Sequence, residues 1–244
     1  MLGGKDNFAA DRQAADAMLA RNPQAPLTAR DNRAFLGRAV RYLVEEAGVR
    51  QFLDIGAGLP TQRNVHEVAQ SADPGVRVVY VDVDPMVVVH ARALLATGGN
   101  VKVVEGDLRR PREILGHAGE FLDLDRPVAV LMAAILHFVP GEDDPAGIVA
   151  EYRRALAPGS HLLVSHTADE SPEQVMATAQ QGFRLAGSPL TPRTRTDIAG
   201  FFGDFEPVEP GLTDVRRWRA PDADLPELPW VMVGGLARKP GSQA

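Results

Sequence analysis

Three short stretches set acidic residues or glycines at the ends of apolar runs. They are DIGAG, with Asp54, Gly56 and Gly58; YVDVD, with Asp82 and Asp84; and EGDL, with Asp107. Glycines in a D-x-G-x-G pattern permit a tight turn and let backbone amides approach a ligand closely. Asp82 stands 24 residues beyond Gly58, where a carboxylate can accept hydrogen bonds from both hydroxyls of a ribose. Its other reading, which suits Asp84 better, is a carboxylate complementing the dipole of the following helix. Asp107 either accepts from an exocyclic adenine amine, with Leu108 against the ring, or closes a turn. Thr61 occupies the place of the third glycine of a dinucleotide fingerprint, which argues against a nicotinamide cofactor.

Histidines stand beyond two later apolar runs: His137 in AAILHFVP and His166 in LLVSHTADE. An imidazole titrates near neutrality, so each is a candidate general base; each is equally a hydrogen-bonded structural histidine. His66, Thr61 and Asn64 sit near the start of the helix after the glycine loop, where they either reach a ligand carboxylate, helped by the helix N-terminus, or cap the helix. The set His137, Asp143, Asp144 and His166 has no metal-ligand spacing, so no metal is expected. The arginine clusters 109, 110, 112 and 216, 217, 219 read as solvated loop charge or as contacts for an acidic substrate.

These residues must be held by something. The runs QFLDIG, VRVVYVD, VKVVEGD, PVAVLMAA and SHLLVSHT alternate with helical segments, among them TQRNVHEVAQSA, DPMVVVHARALLA and DPAGIVAEYRRALA. Strands separated by helices of that length imply βαβ units with right-handed crossovers and a parallel sheet covered on both faces. Ahead of them come helices over residues 8–21 and 32–47, separated by a break at Pro23 and Pro26. A short helix capped by Thr196 or Asp197 follows near the end, and FEPVEPGL and LPWVMVGGLARK supply two last strands. In 244 residues with a net charge of −6, 45% hydrophobic and without cysteine, one α/β unit fits. A basic nucleic-acid surface does not. The N-terminus has no apolar leader and no run spans a bilayer, so a cytoplasmic protein is expected.

The glycine loop, the acidic end of the second strand and the G-D-L after the third, in that order and spacing, resemble class I S-adenosylmethionine-dependent methyltransferases. A narrower resemblance, carried by GGKDNFAADR, NRAFLGRAVRYL, GLPTQRNVHE and LHFVP, is to an uncharacterised bacterial S-adenosyl methyltransferase family. It implies a Rossmann-like α/β fold, with a mostly parallel seven-stranded sheet, helices on both faces and an N-terminal helical cover. Residues 1–48 would form the cover and 49–244 the α/β domain of one compact unit. It implies S-adenosyl-L-methionine as cofactor, bound by Asp54, Gly56, Ala57, Gly58, Thr61, Asn64, His66, Asp82, Val83, Asp107, Leu108 and Ala133. His137 and His166 would face the acceptor, and Lys5, Asp6 and Asn7 would belong to a lid over the pocket. Asp6 or Asn7 alternatively caps the helix over 8–21. The expected activity is methyl transfer to a small-molecule acceptor; the competing readings are a non-catalytic binding or regulatory protein on the same fold, and a nicotinamide-dependent oxidoreductase. The resemblance names no substrate and the sequence no oligomeric state.

Overall fold

The apolar runs at 51–55, 77–82, 101–105, 129–133 and 161–167 form strands of one sheet, four of them with a strand on either side and that at 101–105 on its edge. The computed structural model describes residues 25–60, 63–95, 98–185, 187–220 and 228–241. The helix expected over 8–21, the segment with Lys5, Asp6 and Asn7, Thr61, and most of the loop at 221–229 lie outside these residues. In chain order the elements are α1 (Ala25–Glu45), β1 (Gln51–Ile55), α2 (Val65–Ala72), β2 (Arg77–Asp82), α3 (Pro85–Leu94), β3 (Val101–Glu105), α4 (Pro111–Gly119), β4 (Ala129–Ala133), α5 (Pro145–Ala155), β5 (His161–Thr167), α6 (Glu173–Leu185), α7 (Arg195–Gly200), β6 (Glu206–Pro207), β7 (Thr213–Asp214) and β8 (Met232–Arg238). A 3-10 turn at Leu136–Phe138 follows β4.

The sheet runs β3-β2-β1-β4-β5-β8-β6, with β7 also paired to β8. Strands β1 to β5 are parallel and β8 is antiparallel to β5. The strand count is eight rather than the expected seven. Pro207 pairs with Ala237 and Thr213 with Gly234, so the register slips by three residues between β6 and β7. Pro207 and Pro210 have no N–H to donate, and the penultimate strand is therefore two short pieces around a bulged loop.

Alternation along the strands separates two cores. Leu53, Ile55, Val79, Val81, Val130 and Met132 face α4, α5 and α7. Phe52, Val78, Tyr80, Ala129 and Leu131 face α1, α2 and α3. Three helix starts differ from the sequence expectation. Helix α1 is already formed at Ala25, ahead of the expected Asn32, and Pro26 lies within it rather than breaking it. Helix α2 begins at Val65, four residues later than expected, with Asn64 as its N-cap. Helix α7 is capped by Thr194, whose Oγ1 accepts from the Asp197 amide at 3.0 Å, not by Thr196 or Asp197.

The segment after β7 is fixed to α1. Arg38 donates from Nε to the Trp218 carbonyl at 2.8 Å and from Nη2 to the Val215 carbonyl at 2.6 Å. The fully buried Trp218 ring meets Phe35 edge-on, centroids 5.4 Å apart. Removing that ring leaves a large cavity between α1 and the sheet. Trp218→Ala is expected to cost about 3–5 kcal/mol in urea denaturation, while Val83→Ala, at a 60% exposed position, shifts the midpoint little.

Candidate functional site

The strand order reverses between β1 and β4, and a crevice opens beyond their carboxyl ends. The β1 turn begins at Gly56, which adopts φ +75; a Cβ there would stand 2.6 Å from Ile135 Cγ1. Gly56 and Ala57 both donate backbone N–H groups to the Val81 carbonyl, at 2.8 and 3.1 Å. Gly58, at φ +66, has open space where a side chain would be. The β4 side of the crevice is also constrained. Ala134 holds φ 56, a left-handed conformation unusual for alanine. Its N–H lies 2.9 Å from Ser165 Oγ and 3.1 Å from the Ser165 carbonyl.

Asp82 ties the crevice to β2. One carboxylate oxygen accepts from the Gly58 amide at 2.8 Å and the other from the Asp84 amide at 3.0 Å. An ionised carboxylate offers about four lone-pair sites, so each oxygen keeps capacity for a ligand hydroxyl. Asp84 itself caps α3, accepting from the Met86 amide at 2.8 Å. Asp107 is more heavily committed: Arg109 donates to it from Nε and Nη2 and from its backbone amide, at 2.7–3.0 Å. That fork holds the Asp107 carboxyl below the usual carboxylate range. Leu108 packs against the core, and Val83 is exposed.

A cavity of about 240 Å³ is lined by Asp54, Gly56, Ala57, Ala133 and His137, all marked out in the sequence. It is also lined by Thr28, Asn32 and Arg33 of α1 and by Phe138, Phe183 and Trp230. Asp54 is buried, and burial pushes its pKa up to about 7 despite the opposing field of Arg33. None of these α1 residues was singled out as a site residue, because only the packing of α1 on the sheet brings them to the cavity.

The N-V-H-E motif resolves into helix-start chemistry. Asn64 is the N-cap, and its amide donates to Glu67 Oε2 at 2.7 Å, one arm of a capping box. Val65 enters the core. The His66 amide donates to the Tyr80 hydroxyl at 2.9 Å, and that hydroxyl lies 2.9 Å from His66 Nδ1. The Tyr80 hydroxyl thus holds His66 to β2 at both its amide and its ring, and burial lowers the His66 pKa. Neither Asn64 nor His66 lines the cavity.

The two candidate bases separate. His166 is fully buried and does not line the cavity. Its Nδ1 lies 2.8 Å from the Thr167 carbonyl, which can only accept, so Nδ1 carries the proton. Its Nε2, 2.9 Å from Arg193 Nη1, accepts. Both nitrogens are used, and burial together with Arg193 pulls the pKa down to about 4. Of the two readings the sequence leaves open for His166, these contacts match the hydrogen-bonded structural histidine. His137 does line the cavity. The Thr167 amide points its N–H at His137 Nδ1, at 3.4 Å, which makes Nε2 the N–H edge of the neutral ring. Burial and the neighbouring His166 and Arg193 hold its pKa well below the ordinary value. Arg193, not singled out from sequence, organises this region. It also donates to the Leu136 carbonyl at 2.9 Å and the Val139 carbonyl at 2.6 Å, clamping the 3-10 turn that carries His137.

Among the described residues no group of three or more His, Asp or Glu is arranged to hold a metal. The arginines of the two clusters pair largely with carboxylates: Arg109 with Asp107 and Asp143, Arg110 with Glu113, Arg112 with Glu151, Arg216 with Asp214, and Arg219 with Glu46.

With this geometry in place, comparison with known proteins is informative. A family described as S-adenosyl methyltransferase is matched over residues 1–240. A solved structure of a candidate methyltransferase from Thermobifida fusca YX shares 41% identity at a TM-score of 0.92, covering 98% of this chain and 92% of that one. A DUF574 family protein from Streptomyces avermitilis MA-4680 gives the same identity and TM-score, covering 98% and 94%. The N-methyltransferase NodS from Bradyrhizobium japonicum WM9, in complex with S-adenosyl-L-homocysteine, shares the fold at 17% identity and a TM-score of 0.54, covering 94% and 97%. No curated protein matches the chain.

The buried titratable groups fix how stability responds to pH. His161 and His166 have folded pKa values near 4 against 6.5 unfolded, and His137 shifts the same way. The folded state then binds fewer protons, so this stability is present above 6.5 and is lost as pH falls toward 4. Asp54 has the opposite sign: its pKa rises from 3.8 to about 7, and its contribution is lost as pH rises through that window. Three histidines outweigh one aspartate, so the thermal midpoint is expected to fall as pH is lowered from about 6.5 to 4.5. Asp54→Asn is expected to raise the midpoint near pH 8 and leave it unchanged near about pH 4. Midpoints from scanning calorimetry across this range check both.

Proposed function

The chain belongs to the S-adenosyl methyltransferase family, and from that premise we propose which of its residues hold the cofactor and what kind of acceptor it takes. It is an S-adenosylmethionine-dependent methyltransferase. The observation that carries the proposed site is the Gly56 turn and buried Asp54 on the cavity wall, with the Asp82 carboxylate, outside that wall, holding the Gly58 amide of the same loop. These residues suit the cofactor chemically. The open space over Gly58 admits a ligand against backbone, Asp82 keeps capacity for two ribose hydroxyls, and Asp54 offers a latent negative charge to a cationic end. Ala57 and Ala133 line the same wall, Asn64 and His66 hold the α2 start in place, and Val83, Asp107 and Leu108 stand at the β2 and β3 ends, where a nucleobase would lie. Thr61, three positions beyond Gly58 in the sequence, is proposed with them.

When bound, S-adenosylmethionine supplies a methyl group whose bond to sulfur breaks with the electron pair remaining on sulfur. The residues around it orient and desolvate. Catalysis from proximity and exclusion of water suffices for an in-line displacement on an activated carbon. His137 presents an N–H rather than a lone pair to the cavity, so it positions the acceptor by donating a hydrogen bond, and a proton released from the acceptor goes to solvent. The acceptor is a small molecule: the cavity is of that size, and the net charge of −6 offers no attraction to nucleic acid. Among the described residues no helix is long and apolar enough to cross a membrane. The bacterial relatives and the cysteine-free chain support a bacterial, cytoplasmic setting.

Titration calorimetry is expected to detect S-adenosylmethionine and S-adenosylhomocysteine but not NAD; silence toward the first two would sink the cofactor site. Asp82→Ala removes a charged acceptor worth about 1.5–3 kcal/mol per hydrogen bond, which predicts an affinity loss of about ten- to a hundredfold. Ionised Asp54 favours a cationic ligand, so S-adenosylmethionine affinity is expected to rise between about pH 5.5 and 7.5. That rise should be absent in Asp54→Asn.

A further inference from the structure

The α1 wall of the cavity carries two polar atoms without a partner among the described residues. Thr28 Oγ1 and Asn32 Oδ1 are buried and make no hydrogen bond there. Four residues apart on a helix, they share one face, and both residues line the cavity. A buried polar atom left unpaired is costly, and such groups persist where a ligand completes them. Beside them stands an aromatic wall. Phe138 and Phe183 have ring centroids 5.2 Å apart, and Phe183 meets Trp230 edge-on at 6.0 Å. The indole N–H of Trp230 is already donated to Thr167 Oγ1 at 3.3 Å, so this wall offers only ring surface. His137 completes the enclosure.

We infer that Thr28, Asn32 and the wall of Phe138, Phe183 and Trp230 form the acceptor subsite, and that it takes a small planar aromatic molecule bearing a hydroxyl or amine donor. This rests on the methyltransferase reading above and adds the substrate class to it. The ring packs on the aromatic wall, where offset and edge-on arrangements are favoured. Its O–H or N–H donates to Asn32 Oδ1 and Thr28 Oγ1. Of the charged residues of the cavity, Asp54 is given to the cofactor end and Arg33 acts on Asp54, so the ring itself is neutral. A saturated ring forfeits the stacking, and a ring without a donor leaves both α1 atoms unpaired; discrimination against an analogue that leaves site groups unpaired is large.

The test titrates the full-length protein, saturated with S-adenosylhomocysteine, with hydroquinone and 4-aminophenol while following Trp230 fluorescence; Trp230→Phe removes the reporting residue and leaves Trp218. The expected result is saturable quenching by both compounds. Binding of toluene and of trans-1,4-cyclohexanediol should be weaker by about tenfold or more. Asn32→Leu and Thr28→Val should each weaken hydroquinone by about tenfold while changing S-adenosylhomocysteine affinity by less than about twofold. Asn32→Asp, which keeps an acceptor oxygen, should retain binding and guards against a folding defect in Asn32→Leu. Intact S-adenosylhomocysteine binding without hydroquinone binding, or with equal hydroquinone affinity in Asn32→Leu and Thr28→Val, overturns the inference and leaves the cofactor site standing. Loss of S-adenosylhomocysteine binding in the unsubstituted protein overturns both.

Discussion

The β1 and β4 turns meet at a point where there is no room for a side chain. Gly56 sits against Ile135 so closely that a Cβ would fall within 3 Å of three of its side-chain carbons, and the same residue needs a left-handed backbone. Glycine satisfies both demands. The reversal of strand order makes the two turns neighbours, and this contact sets how far the crevice opens. From it follow the burial of Asp54 at the end of β1, the direction of the Gly58 amide toward Asp82, and the position of the β4 turn that bears His137.

Backbone hydrogen bonds from two charged side chains hold this arrangement on either flank. Asp82 grips the glycine loop from β2, and Arg193 grips the 3-10 turn from the segment ahead of α7. Both are charge-assisted and both reach carbonyls or amides across the sequence, which is the stronger class of hydrogen bond. Arg193 also sets histidine chemistry: by donating to His166 Nε2 it keeps that ring neutral, and Thr167 passes the same constraint on to His137. The site therefore presents the Thr28 and Asn32 oxygens and ring surface to an acceptor, with negative charge confined to the cofactor end.

The sequence made the strands and the glycine loop legible because these are local: β-branched runs, a D-x-G-x-G turn and an acidic residue at a fixed interval. It misplaced α1 because a proline reads as a helix break, whereas Pro26 lies within this helix. It left His166 open between base and structural histidine because position beyond a strand says nothing of partners; Arg193, 27 residues away, occupies its Nε2. Asn64 and His66 likewise carry a distinctive motif whose observed contacts are a capping box and a tyrosine hydroxyl. Thr28, Asn32 and Trp230 were invisible as site residues for the same reason, since only the packing of α1 and the start of β8 on the crevice brings them together. The registry slip that splits the penultimate strand was foreshadowed by Pro207 and Pro210, yet pairing partners cannot be read from proline positions.

A crystal structure of the protein with S-adenosylhomocysteine tests the central claim most directly. The account predicts the ribose hydroxyls on the Asp82 carboxylate, the amino-acid end beside Asp54 and the Gly56 turn, and the sulfur facing the cavity bounded by His137 and Asn32. Density for the ligand outside the β1/β4 crevice, or inside it with Asp82 still bound only to the Gly58 and Asp84 amides, would contradict it.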